Sequence, residues 1–148
     1  MRNLNMDKKR KVALYCRVAH EDNTAIKIQE EMIRRFAEEN NYINISIYAD
    51  NGFNGLNFNR PAFKRLNDDI SAGLIETVIV KDISRLSRNY IDVFNWVDNI
   101  RDKGVSFISM LDDFTALTKI NNSLIQAFND YRAKQKKRNH LGRKNKRI

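Results

Sequence analysis

The sequence contains very little cysteine, proline or glycine: one, one and five residues in a chain of 148. The lone Cys16 excludes an internal disulfide and is typical of a reducing cytosol. One cysteine and two histidines, His20 and His140, do not make a zinc site, and we expect neither metal nor cofactor. No apolar run reaches the roughly 20 residues of a membrane span, and no signal-peptide core is present. These absences favour a cytoplasmic globular protein without a membrane anchor.

Acidic side chains are missing from the last 17 residues, which hold nine Lys or Arg. Residues 1–131 carry the other 18 basic residues against 18 acidic ones, so the whole net charge of +9 lies in this tail. Such a tail predicts binding to DNA through phosphate neutralisation, although a merely solubilising role is the alternative. The expected contacts are Lys134, Lys136, Lys137, Arg138, Arg143 and Lys144.

Strand and helix patterns alternate along the rest of the chain. Short apolar runs predict strands over 12–18, 43–48, 76–80 and 105–111, and helical spacing predicts helices over about 22–39, 60–73, 90–100 and 117–137. The alternation predicts an α/β fold, a mainly parallel sheet of about four to five strands flanked by helices, with a long C-terminal helix. We expect one domain over 1–131, then a basic tail over 132–148 that extends the helix to Gly142 and is disordered beyond it.

Apolar residues at helical spacing predict the buried faces of two helices. The core face of the first helix is predicted to hold Ile28, Met32, Ile33, Phe36 and Ala37, and the apolar face of the last helix Leu124, Ile125, Phe128 and Tyr131.

Two arginines lie where the third strand gives way to a helix, in the stretch KDISRLSRN over residues 81–89. Open α/β sheets bind ligands in a crevice at the carboxyl ends of their strands. Arg85 and Arg88 are three residues apart, so they can point into one such crevice, and guanidinium groups grip phosphate well. The alternative is that both are solvated surface charges.

Four motifs in chain order resemble the catalytic domain of the serine site-specific recombinases: the resolvases, invertases and large serine integrases. The motifs are YCRV over 15–18, Ile28-Gln29, DNGFNG over 50–55 followed by Arg60-Pro61, and the stretch over 81–89. The motif over 81–89 is more similar to that of the large recombinases than to that of the small resolvases. Together the motifs span residues 15–89.

The resemblance implies a resolvase-like fold and DNA cleavage by a serine hydroxyl, through a 5′-phosphoserine link, without metal or nucleotide. It implies a homodimer or tetramer on DNA, and we expect the isolated chain to be a monomer or weak dimer. The residues that match the family's active-site arginines are Arg17, Arg60, Arg85 and Arg88. Gln29 matches a polar residue beside the nucleophile, and Ser84 replaces the aspartate of the small resolvases.

The nucleophile position departs from the family pattern, because Ala19 stands where the resemblance expects serine. A methyl group cannot attack phosphorus. Other residues are poor candidates to replace this serine as the nucleophile. Cys16 would face the other side of the strand, and Ser84 and Ser87 would have to attack from the wrong wall of the site. His20, at the end of the strand, is typical of a surface residue. We therefore expect DNA binding without cleavage, whether the serine was lost by engineering or in nature.

Two readings stay open. The chain is a recombinase catalytic domain without its nucleophile, or a non-catalytic regulator that binds DNA or a full-length recombinase. No helix-turn-helix or zinc module follows the tail, so the chain is either a fragment or a short partner protein. A nucleotide-binding α/β protein is disfavoured because no Gly-rich loop follows the first strand.

Overall fold

The computed structural model describes residues 10–55 and 59–145, with the side chains of 121 and 140–145 excepted. Its strands are β1 (Lys11–Val18), β2 (Ile45–Asn51), β3 (Ile75–Val80) and β4 (Ser106–Ser109). Its helices are α1 (Asn23–Glu39), α2 (Pro61–Ser71), α3 (Tyr90–Asp102) and α4 (Phe114–Asn145), with a 3₁₀ turn over Ile83–Arg85. The predicted parallel sheet, flanking helices and long last helix are confirmed.

The sheet has the order β2-β1-β3-β4, and every pair of neighbours is parallel. The chain therefore moves to one side of β1 first, to form β2, and then to the other side, to form β3. Such a reversal of strand order opens a crevice at the carboxyl ends of the two central strands, β1 and β3. Arg17, at the end of β1, pairs in register with Asp50 of β2, so both lie at this edge.

Successive side chains of β1 point to opposite faces of the sheet, and each face is covered by a different set of helices. Cys16 faces α1, where it packs in a buried cluster with Ile33 and Ala37. Tyr15 faces the opposite side and meets Phe63 of α2 edge-on, with ring centroids 5.4 Å apart. The ring centroid of Phe63 in turn lies 5.2 Å from that of Trp96 of α3, so α2 and α3 share this second layer.

Local sequence signals set where the helices begin. Asp22 caps α1 by accepting a hydrogen bond from the Ala25 amide at 2.9 Å. Pro61 is the first residue of α2, where its missing N–H leaves no hydrogen bond unmade. Asn89 caps α3 through the Ile91 amide at 3.1 Å. These starts fix the loops that precede them, which carry the candidate site.

The predicted core face of α1 is partly wrong. Ile28 is 57% exposed and Met32 38% exposed, whereas Ile26 and Gln29 are buried beside Ile33 and Ala37. The buried face is therefore rotated away from the apolar stripe, because a polar side chain, Gln29, occupies a place within it.

The chain divides into two compact units, one ending at Asp112 and one beginning at Asp113. The second unit consists of α4, in which Leu124, Ile125, Phe128 and Tyr131 are all exposed. The predicted stop at Gly142 is wrong, because the helix continues to Asn145. A single interior glycine costs about 1 kcal/mol, and no proline follows it. The disorder expected at the extreme C-terminus concerns 146–148, outside the described residues. In the part of the chain described, no helix is long and apolar enough to cross a membrane.

Candidate phosphodiester site

Residues 81–89, the arginine loop, leave the carboxyl end of β3 in a tightly held conformation. Asp82 accepts hydrogen bonds from the Ser84 amide at 3.1 Å and from the Ser84 hydroxyl. Asp112 accepts from the Ile83 amide at 2.8 Å and from the Ser109 hydroxyl at 2.7 Å. The loop is therefore anchored from both sides, and its carbonyl groups have fixed directions.

Arg17 uses its guanidinium group to bind these carbonyls. It donates to Arg85 O at 2.8 Å, to Ser84 O at 2.6 Å and to Phe53 O at 2.9 Å, and only 4% of the residue is exposed. Arg85 returns the contact, since its Nη1 donates to Arg17 O at 3.0 Å. The two arginines thus bind each other's backbone at the carboxyl ends of β1 and β3.

Gln29 of α1 holds the same backbone from the opposite face of the sheet. Its Oε1 accepts from the Arg17 amide at 2.9 Å, and its Nε2 donates to Arg17 O at 3.1 Å. The resemblance matches Gln29 to a polar residue beside the nucleophile; in the structure its side chain is buried and bound to both backbone groups of Arg17. This arrangement makes Gln29 a positioning residue for the end of β1.

Arg60 is the most deeply buried of the four arginines, at 1% exposure. The following proline favours an extended backbone at Arg60, which has φ −135° and ψ 133°. Its Nη1 donates to Tyr15 Oη and to Arg85 O, each at 2.9 Å, and its Nη2 donates to Leu86 O. Its guanidinium carbon also lies 4.8 Å from the centre of the Phe63 ring, within cation–π range.

Tyr15 and Asp50 complete the cluster, and the sequence analysis assigned a role to neither. The Tyr15 hydroxyl donates to Asp50 at 2.7 Å, while Asp50 also accepts from the amides of Ala62 at 2.8 Å and Phe63 at 3.0 Å. Asp50 thereby caps α2, whose own N-cap residue, Arg60, makes no side-chain cap bond. In the sequence Asp50 stands two residues beyond the predicted strand 43–48, whereas in the structure it lies within β2, in register with Arg17.

Burial and charge shape the ionisation of the cluster. Burial, followed by the charge of Arg60, lowers the pKa of Arg17, and burial likewise lowers the pKa of Arg60. Burial and the hydrogen bond to Asp50 raise the pKa of Tyr15, which stays a neutral donor. A bound anion would lower the electrostatic repulsion between these neighbouring guanidinium groups.

Arg88 differs from the other three because its side chain is exposed. Its backbone amide donates to Gly55 O at 2.9 Å, which ties the arginine loop to the loop after β2. Arg85 is intermediate: its side chain is 25% exposed and its Nε lies 3.5 Å from Asp82. All four predicted arginines therefore lie at one edge of the sheet, but Arg17 and Arg60 are buried there and bound to the protein itself.

Ala19 follows the end of β1 and is half-buried. The preceding carbonyl, of Val18, accepts from the amides of Gly52 at 3.0 Å and Phe53 at 3.1 Å, so the loop after β2 closes over this end of the strand. Cys16 lies on the other face, where burial raises the pKa of its thiol to about 12. The Ser87 hydroxyl is buried and donates to Gly55 O at 3.2 Å.

The predicted DNA contacts of the tail lie on α4. Lys134, Lys136, Lys137 and Arg138 are exposed, whereas the side chains of Arg143 and Lys144 lie outside those described. Over the described ranges, no three His, Cys, Asp or Glu side chains come close enough together to hold a metal ion.

Comparison with known proteins points to one family. The family model described as Resolvase, N terminal domain, matches residues 12–147. A protein of Bacillus subtilis (strain 168), named as a candidate DNA recombinase, is 35% identical over 99 residues, which are 66% of this chain and 20% of that protein. A resolvase of Clostridium perfringens is 29% identical over 98 residues, 66% of this chain and 48% of that one. The chain thus spans less than half the length of these relatives.

Solved structures of similar sequence share the fold. The N-terminal catalytic domain of TP901-1 integrase superposes with a TM-score of 0.67 at 29% identity, over 86% of this chain and 99% of that one. A resolvase family site-specific recombinase from Streptococcus pneumoniae gives a TM-score of 0.58 at 27% identity, over 88% and 99% of the two chains.

Proposed function

This chain belongs to the resolvase N-terminal domain family, the catalytic domains of the serine recombinases, and from that premise we propose that it acts in site-specific DNA recombination. The observation that supports this function is the clustering of Arg17, Arg60, Arg85 and Arg88 at the carboxyl edge of β1 and β3. The four guanidinium groups outnumber the carboxylates of Asp50 and Asp82 beside them, so a phosphodiester would supply further negative charge, and Arg85 and Arg88 are the members with solvent-accessible side chains.

The reaction implied by the family is a balanced exchange of phosphodiester bonds. A serine oxygen bonds to phosphorus, the bond from phosphorus to the 3′ oxygen breaks, and that oxygen leaves with a proton. The reverse step rejoins the strand and frees the serine. In this chain the arginines would neutralise the charge that grows on the phosphate. Gln29 would hold the backbone of Arg17, and Asp50 would hold Tyr15, which binds Arg60.

We further propose that the chain, with Ala19 at the nucleophile position, binds this phosphodiester without cleaving it. Loss of the nucleophile costs about 10⁶ in turnover in a serine hydrolase, and a covalent mechanism of this kind should lose at least as much. The Ser87 hydroxyl is buried and bound to Gly55 O, and the Ser84 hydroxyl is bound to Asp82 within the arginine loop and not at the end of β1. The Cys16 thiol is buried on the far face of the sheet.

Restoring the serine tests this function without knowledge of the DNA site. Thymidine 5′-monophosphate p-nitrophenyl ester is an activated phosphodiester whose attack by serine releases p-nitrophenolate and leaves a thymidylyl phosphoserine. The Ala19→Ser chain should release up to one p-nitrophenolate per chain and gain the matching mass at residue 19. The parent chain should release none. An inert Ala19→Ser chain, still folded by circular dichroism, would contradict the proposal.

The basic end of α4 is proposed to lie along the DNA backbone, and the exposed apolar row of α4 to pair with a second copy on DNA. Exposure of Leu124, Phe128 and Tyr131 on one long helix supports pairing. Exposed Lys134, Lys136 and Lys137 support a salt-dependent DNA contact with little base readout. Like charges at the tail keep the isolated chain a monomer or weak dimer. A tight, salt-insensitive tetramer without DNA, seen in sedimentation, would contradict this.

A second candidate function is favoured by Ala19 itself: a regulator that binds DNA or pairs with an intact recombinase. Under this alternative, the chain should suppress an active recombinase in mixture, and Ala19→Ser should leave the chain inert. Under the first function, Ala19→Ser gains covalent chemistry. The ester reaction therefore separates the two.

A further inference from the structure

Gly55 lies between the buried and exposed parts of the arginine cluster. A Cβ built on Gly55 would stand 2.7 Å from Arg17 Nη2 and 3.1 Å from Arg17 Cζ. It would also stand 3.2 Å from Cγ of Arg88. The absence of a side chain at residue 55 thus leaves the space in which Arg17 and the stem of Arg88 come together.

Arg17 has little freedom to move out of that space. Its three donor nitrogens are bound to the carbonyls of Arg85, Ser84 and Phe53, and the residue is buried. A methyl group at residue 55 would therefore break at least one of these hydrogen bonds or displace the loop itself. Gly55 is not in the left-handed region, so alanine would be strained by this contact rather than by its own backbone.

The carbonyl of Gly55 makes a second connection to the arginine loop. It accepts from the Arg88 amide at 2.9 Å and from the Ser87 hydroxyl at 3.2 Å. Ser87 Oγ also accepts from the Asn89 amide at 3.0 Å, and the residue is 1% exposed. This one carbonyl thus holds three consecutive residues of the arginine loop. Ser87 and Arg88 donate to it directly, and Asn89 is linked to it through the Ser87 hydroxyl.

From these contacts we infer that Gly55 and Ser87 are positioning residues, which set the exposed Arg88 against the buried Arg17 for phosphodiester chemistry. The inference rests on the proposed function for its catalytic meaning, although the geometry it concerns is measurable in the free protein. A displacement of about 1 Å in such a group can cost about 10²-fold in rate.

The experiment uses the full chain with Ala19→Ser as parent and the same activated ester. Adding Gly55→Ala should lower the rate constant of p-nitrophenolate release at saturating ester about 10²-fold. The matched control is Gly73→Ala, which meets nothing within 4 Å but strains a backbone at φ +75°, and so destabilises without touching the site. A Gly55→Ala rate within about threefold of the parent, well below the effect expected for misplacement, would overturn the inference.

Ser87 supplies a second pair of variants in case Gly55→Ala does not fold. Ser87→Ala removes the hydroxyl bound to Gly55 O and should slow release, while Ser87→Thr keeps a hydroxyl and should restore most of the rate. Equal rates for the alanine and threonine variants would count against the role of Ser87.

A spectroscopic readout separates failure of this inference from failure of the proposed function. The Arg17 Nε–H is buried against Arg85 O, so it should give a slowly exchanging ¹H–¹⁵N signal. In the parent and in Gly73→Ala this signal should persist, and in Gly55→Ala it should shift and exchange faster. If the parent releases no p-nitrophenolate, the proposed function fails and this signal alone decides the role of Gly55. An unchanged signal in Gly55→Ala would refute it.

Discussion

Replacing Asp50 with asparagine should destabilise the first unit more than any other single isosteric change at the site. Asp50 is 2% exposed and accepts from Tyr15, Ala62 and Phe63. In Asp50→Asn, one carboxylate oxygen becomes an NH₂ group that faces N–H or O–H donors. The change also removes the negative charge that acts on buried Arg60.

The size of the effect follows from these contacts. Hydrogen bonds to a charged group contribute about 1.5–3 kcal/mol each, and breaking a buried charge pair costs about 3–5 kcal/mol. Because these two descriptions overlap, we expect a loss of about 3–5 kcal/mol in the free energy of unfolding. That is a large part of the roughly 5–15 kcal/mol that stabilises a typical domain.

Urea unfolding followed by Trp96 fluorescence measures this loss within the first unit, and an unchanged m-value shows that the same surface unfolds. Asp69→Asn is the matched control, since Asp69 accepts a Tyr48 hydroxyl at a half-buried position near the C-terminal end of α2, whereas Asp50 caps its N-terminal end. It should cost no more than about 1.5 kcal/mol. A loss below about 1 kcal/mol for Asp50→Asn would refute the view that Asp50 joins α2, Tyr15 and Arg60 into one network.

Two further predictions concern pH and salt. Folding raises the pKa of the Cys16 thiol from 9.0 to about 12, so the unfolded chain binds fewer protons between those values. The free energy of unfolding should then fall by up to about 1.4 kcal/mol per pH unit over this range. The urea midpoint of Cys16→Ala should fall less steeply with pH than that of the parent chain. Truncation after Tyr131 should flatten the salt dependence of binding to a 30-bp duplex (roughly three helical turns), by about 0.9 in log–log slope per lost phosphate contact. An unchanged slope in fluorescence anisotropy would place the DNA contact elsewhere.

The sequence was sufficient to predict the fold because its signals are periodic. Strand runs and helical spacing alternate in order, and parallel strands bring their carboxyl ends to one edge. That reasoning, with the four motifs, predicts that Arg17, Arg60, Arg85 and Arg88 lie together at this edge. It could not show that Arg17 and Arg60 are buried and bound to carbonyls, since burial of a charge depends on partners distant in sequence.

Two of the missed features, the buried Gln29 and the capping Asp50, share one physical cause: a polar side chain used inside the protein looks the same in sequence as one used at the surface. Gln29 occupies the buried face of α1, which displaced the predicted core face from Ile28 and Met32. Asp50 reads as the first residue of a flexible loop but caps α2 from another strand. Gly142 reads as a helix stop, but α4 continues through it.

The central claim is that the edge of the sheet at β1 and β3 holds a DNA phosphodiester, and titration of the ¹⁵N-labelled chain with thymidylyl-(3′→5′)-thymidine tests it most directly. This dinucleotide has one phosphodiester and is too short to span the basic tail. We predict that the amides of Ala19, Gly55 and the arginine loop shift on binding, and that the shifts disappear in Arg85→Ala. Shifts confined to residues 132–148, with the sheet edge unchanged, would contradict the claim.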